Sequence, residues 1–99
     1  MTSPSSRTSG LLAAGTNQVV CGMKTRLNAL TAISDGTNTA TVTVYDNAST
    51  SSGTIFAKAV ATANSGTIFM VFDNPVCTDN GITVTVAGTG SGAVIYYGA

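Results

Sequence analysis

The 99-residue chain contains no histidine, no tryptophan and no glutamate, and only 8% of its residues are charged, four basic and four acidic. Each absence closes a route. Without an imidazole no side chain titrates near neutrality to activate a serine or cysteine, and the isolated Asp residues offer no base with an orienting partner. The chain is therefore expected not to be an enzyme. Arg7, Lys24, Arg26 and Lys58 are too few to make the clustered basic face that nucleic acid requires.

Cysteine is scarce as well. Cys21 and Cys77 form no CxxC pair, and with no His beside them a structural zinc site lacks ligands. Nothing matches the closely spaced oxygens of a calcium loop, so neither metal nor cofactor is expected. The two thiols are read either as free cysteines filling a core or as a bridge between the first strand and the loop before the sixth. Leu11 to Ala14 is too short an apolar run for a signal peptide or a membrane span. The reading is of a chain made in the cytosol with no membrane partner.

What is present is threonine, 17 residues of it by count along the chain, and with Ser, Gly and Ala it supplies about half of the sequence. Thr39-Ala40-Thr41-Val42-Thr43-Val44-Tyr45 and Ile82-Thr83-Val84-Thr85-Val86 alternate with a period of two, the pattern of half-buried antiparallel strands. Turn signals divide residues 19–98 into about seven strands: 19–24, 26–34, 39–46, 54–62, 67–73, 82–87 and 93–97. Asp35-Gly36 supports a tight turn, and Pro75 is expected to end the fifth strand because it cannot donate to a ladder. That fifth strand, with Ile68, Met70 and Phe72 on one side and Phe69 and Val71 on the other, reads as covered on both faces. No window builds a helical stripe.

One domain results, residues 19–99, an antiparallel β-sandwich or barrel with a light core of Val, Ile, Leu and Ala. Residues 1–18 are rich in Ser, Thr and Gly and read as an extended N-terminal arm, ordered only where a partner orders it. An uncharged hydroxyl face on a chain of zero net charge repels little and is the leading candidate for a contact surface. Candidate contact residues are Arg7, Leu11 and Leu12 in the arm and Tyr45, Tyr96 and Tyr97 in the domain. A surface Tyr is either an interface anchor or an isolated exposed ring.

Several motifs occur in a familiar order. Leu30-Thr31-Ala32-Ile33-Ser34-Asp35-Gly36 is followed by Val44-Tyr45-Asp46-Asn47, then Asn74-Pro75-Val76-Cys77, then Asn80-Gly81-Ile82-Thr83-Val84-Thr85-Val86-Ala87-Gly88, and finally Val94-Ile95-Tyr96-Tyr97. In these residues the chain resembles small structural proteins of tailed bacteriophages, notably marine and cyanobacterial ones. The first 18 residues do not carry the resemblance.

The resemblance implies a β-sandwich of jelly-roll or immunoglobulin-like type on the outer surface of a virion head. It also implies a capsid decoration or cement role, with the major capsid protein and copies of the chain itself as partners. No catalytic or ligand residue carries over. The alternative is a tail or fibre component, including a carbohydrate-binding module, for which Tyr45, Tyr96 and Phe56 are the available rings.

Overall fold

A computed structural model describes residues 7–63 and 66–98, apart from the side chains of Phe56 and Asp73. The described residues form nine strands and no helix: β1 (Arg7–Thr8), β2 (Leu12–Ala13), β3 (Gly15–Cys21), β4 (Arg26–Ile33), β5 (Ala40–Tyr45), β6 (Ile55–Ala61), β7 (Thr67–Cys77), β8 (Ile82–Ala87) and β9 (Gly92–Tyr97). All pairings are antiparallel. One sheet, sheet A, runs β1-β9-β4-β7 with β2 also on β9; the other, sheet B, runs β3-β8-β5-β6.

The pairing is nested. β2 lies on β9, β3 on β8, β4 on β7 and β5 on β6. The chain thus behaves as one long hairpin wrapped on itself, with its tip in the loop between β5 and β6.

Alternation explains the core. Leu27, Leu30 and Ala32 of β4 with Ala93 and Ile95 of β9 meet Val42 and Val44 of β5, Ala59 and Ala61 of β6, and Ile82, Val84 and Val86 of β8. All are buried. Each fully buried Val, Leu or Ile contributes about 1.5–3 kcal/mol relative to exposure, so the aliphatic rows hold the two sheets on one shared core. Alanine along the inner side of β6 keeps that core thin, in keeping with a shortest molecular extent of 19 Å.

The turn after β4 is built as its Asp predicts. Asp35 Oδ1 accepts the backbone N–H groups of Thr37 and Asn38, each at 2.8 Å, and fixes the chain reversal into β5.

Four expectations change. The first expected strand, 19–24, moves back to Gly15–Cys21, because Gly15 and Gln18 find partners on β8 that local composition does not reveal. The described part of the expected arm, residues 7–18, lies on the sheets as β1, β2 and the start of β3; Met1 to Ser6 are outside the described residues. Strand five does not stop before Pro75. It continues to Cys77, with a register shift between the matches Ala29 with Val71 and Leu27 with Val76. Proline is accommodated there because β7 is an edge strand and the irregularity needs no N–H from it.

The fourth change concerns covering. Phe69 and Val71, read as covered, are 58% and 62% exposed. Hydrophobic side chains on both sides of a strand are compatible with an edge position whose outer face is open.

Candidate interaction surface

Side chains that point away from the core form two outer faces, and the register defines them. On sheet B, Thr43 stands beside Thr85 and Tyr45 beside Thr83, so the hydroxyl rows found in the sequence share one face. The centre of that face is closed, while Val19 and Val60 on its two edge strands stay exposed. Thr83 is 0% exposed and Thr43 only 9%.

The cover is the chain's own β5–β6 loop. Thr83 Oγ1 donates to the Asn47 carbonyl at 2.8 Å, and Thr85 Oγ1 donates to Ser51 Oγ at 2.6 Å. Asn17, in the left-handed region at φ 54°, closes the arrangement from β3: its Oδ1 accepts Ser51 N–H at 2.6 Å and its own N–H donates to Ser51 Oγ at 3.0 Å. Asn tolerates this backbone better than most residues, and the conformation coincides with a register shift in β3. Inside the loop, Asn47 Oδ1 accepts the N–H groups of Ser49 and Thr50 at 2.9 and 3.0 Å. The hydroxyl rows are therefore a seat for an internal loop, and the expectation of an open threonine contact face is corrected.

Asp46 holds the same end of the molecule. Its Oδ1 accepts Asn80 N–H at 2.8 Å and Gly81 N–H at 3.4 Å, and both carboxylate oxygens receive Asp79 N–H at 3.2 Å. Partial burial pushes its pKa up, but the N–H groups of Asn80, Asp79 and Gly81 outweigh that, and the carboxyl sits below its ordinary value. Asp35 is also lowered, by the backbone N–H groups of Asn38 and Thr37. Both acids serve turns and loops. Gly81, at φ 152°, lies so close to the Cys21 carbonyl that a Cβ there would collide with it.

Sheet A presents the opposite picture. Its outer face carries Thr67, Phe69 and Val71 from β7, Ala29, Thr31 and Ile33 from β4, and Val94 and Tyr96 from β9. None of these carries a charge. The rings of Phe69 and Tyr96 meet edge to face, centroids 6.3 Å apart, across the small side chains of β4 between them. Leu11, 73% exposed, extends the apolar area past β9. A Cβ on Gly92 would come within 3.1 Å of the Leu11 side chain, so the bare glycine makes room for it.

The expected contact residues scatter over this framework. Tyr96 belongs to the sheet A face and Tyr45 to the sheet B face, so the ring group expected for a sugar is not assembled; the Phe56 side chain is outside the described residues. Tyr97 and Leu12 pack against the core. Arg7 is exposed and, with Cys21, Met23, Lys24 and Tyr97, lines a cavity of about 380 Å³ at the end of the sheets. The residues reading of the sequence missed are Phe69 and Val71, whose exposure depends on which strand lies at the edge.

The cysteines are unbridged, as the free-thiol reading expects, but neither fills the core. Cys21 is half-buried and Cys77 exposed, and both are free thiols. The reason is topological: Cys21 ends β3 on an edge of sheet B, whereas Cys77 ends β7 on an edge of sheet A.

Searches of family models, of curated proteins and of solved structures each found no match to the chain.

Proposed function

We propose that the protein is a non-enzymatic structural module of a virion that attaches to the capsid as a decoration or cement protein through the outer face of sheet A. The observation that carries the reading is the unequal treatment of the two faces. One has the centre of its hydroxyl rows covered by the chain's own loop and carries Lys58, and the other leaves Phe69, Val71 and Leu11 in solvent with no charge among its residues. An uncharged, contiguous apolar face is the usual form of a docking surface. Its aromatic pair supplies the kind of rigid anchor that dominates interface energetics.

We further read the fold as a jelly-roll sandwich in preference to an immunoglobulin-like one. The nested pairs β2 with β9, β3 with β8, β4 with β7 and β5 with β6 support this, because wrapping a long hairpin in that way gives the two Greek keys of a jelly roll. The virion context itself rests on the sequence resemblance. A module repeated over a shell gains from many simultaneous weak contacts, so modest affinity per copy is sufficient for stable attachment.

Electron microscopy of purified particles carrying the protein tests the reading. Regularly spaced copies on the head surface, lost when Tyr96→Ser and Phe69→Ser are combined, are expected. Particles with no copies on the head, or occupancy untouched by the double substitution, would count against it.

A further inference from the structure

We propose that β7 is a self-pairing edge, on which a second copy of this chain adds its own β7 through residues 67–71 to make a two-fold dimer with a continuous sheet A. This rests on the reading of sheet A as an interaction surface and names its first partner.

The argument starts from the sheet edges. An unpaired edge strand offers a row of N–H and C=O groups to any further strand, and soluble proteins blunt such edges with charge, proline, bulges or shortness. Three of the edges here are blunted. β6 carries Lys58 at its middle, and β3 is interrupted by two register shifts and the left-handed Asn17. On the far side of sheet A, β1 and β2 are only 2 residues each and are separated by Ser9 to Leu11.

β7 differs. It is the longest strand, 11 residues, and its register shift, with Pro75, is confined to residues 72–75. Residues 67–71, Thr-Ile-Phe-Met-Val, pair regularly with β4 and contain neither charge nor proline. That stretch is the only long, uncharged, unbroken edge among the described residues.

A second copy fits for two reasons. A two-fold axis perpendicular to the sheet brings identical edges together antiparallel, the direction of every pairing already in the structure. No like charges meet, because the segment has none and the chain as a whole is neutral. Pairing would set the two Phe69 side by side on one outer face, with Val71 of each copy opposite Thr67 of the other, and so partly cover side chains that are now 58% and 62% exposed. The two Phe69–Tyr96 pairs then flank a single apolar strip, which doubles the face proposed for attachment.

Sedimentation velocity across a concentration series, together with hydrogen exchange on the wild-type chain, tests this. A monomer–dimer equilibrium is expected, with amides in 67–71 gaining protection as concentration rises. Phe69→Lys places two like charges directly opposite each other at the two-fold centre and should weaken the dimer at least about tenfold, while circular dichroism stays native because the Phe69 side chain is exposed. Tyr96→Ser, on β9 and away from the β7 edge, should leave dimerisation intact.

A strictly monomeric protein, a dimer lost on Tyr96→Ser but kept on Phe69→Lys, or concentration-independent exchange in 67–71 would each overturn the proposal. A monomer that still decorates particles would sink self-pairing and spare the capsid reading. A dimer absent from particles would do the reverse.

Discussion

The outer faces of sheets A and B are made from the same kind of sequence, strands alternating small polar with aliphatic residues, yet they meet opposite fates. On sheet B the outward residues are mainly hydroxyls, and Thr83 and Thr85 spend them on Asn47 and Ser51 of the β5–β6 loop. On sheet A the outward residues include Phe69 and Val71, whose side chains have no polar group with which to recruit a loop and lie open, beside the half-buried Tyr96. Hydroxyl rows attract the chain's own polar backbone, whereas an apolar strip can only be covered by another apolar surface. Polarity therefore decides which face is spent on folding and which is left exposed.

The largest test of that contrast is at Gly81, which sits under the covered end. Gly81→Ala would force a Cβ against the Cys21 carbonyl in a backbone conformation unfavourable to side chains, and should cost about 3 kcal/mol in denaturant unfolding. A loss much below that would mean that the loops around Cys21 and Asn47 shift freely, and that the cover is loose.

A matched pair of substitutions sharpens it further. Thr83→Val removes a buried hydroxyl and strands the Asn47 carbonyl, an expected loss of about 1–2 kcal/mol. Thr31→Val, on the open face between Phe69 and Val94, keeps the shape and removes a half-buried hydroxyl, so stability should change by less than about 0.5 kcal/mol. Equal effects from the two would erase the distinction between a face spent on folding and one left free.

Acid provides the smallest effect. Asp46 and Asp35 have lowered pKa values in the fold. Their contribution is complete above the unfolded carboxylate value near ~3.9 and is lost as pH falls through the lower folded values. Thermal melts should therefore be flat from neutrality to about pH 5 and decline below about pH 4, and Asp46→Asn should remove part of the decline. Hydrogen exchange in acid should rise first in residues 79–81, where Asp46 receives the N–H groups, and later in β4 and β9.

Legibility followed range. The strands from Arg26, Ala40, Ile55 and Ile82 start within a residue of where alternation puts them, since period and turn residues are local. Asp35 is legible for the same reason, being bonded to residues 2 and 3 positions ahead. Asp46 is not, because it reaches residues 79–81, more than 30 positions away. β1 and β2 were hidden because two-residue strands have no period to detect; they exist only by virtue of β9. Phe69 and Tyr96 lie far apart in sequence, and nothing local shows that β4 will place small residues between them.

The sequence by itself determined that this is an all-β chain with an aliphatic core, because a two-residue period and the lack of helical stripes are properties of neighbouring residues. Tertiary structure alone decided which alternating face would be covered and which strand would lie at an edge. Both depend on the nested order of strands distant along the chain, and that order is what closes Thr83 beneath Asn47 and leaves Phe69 and Val71 in water.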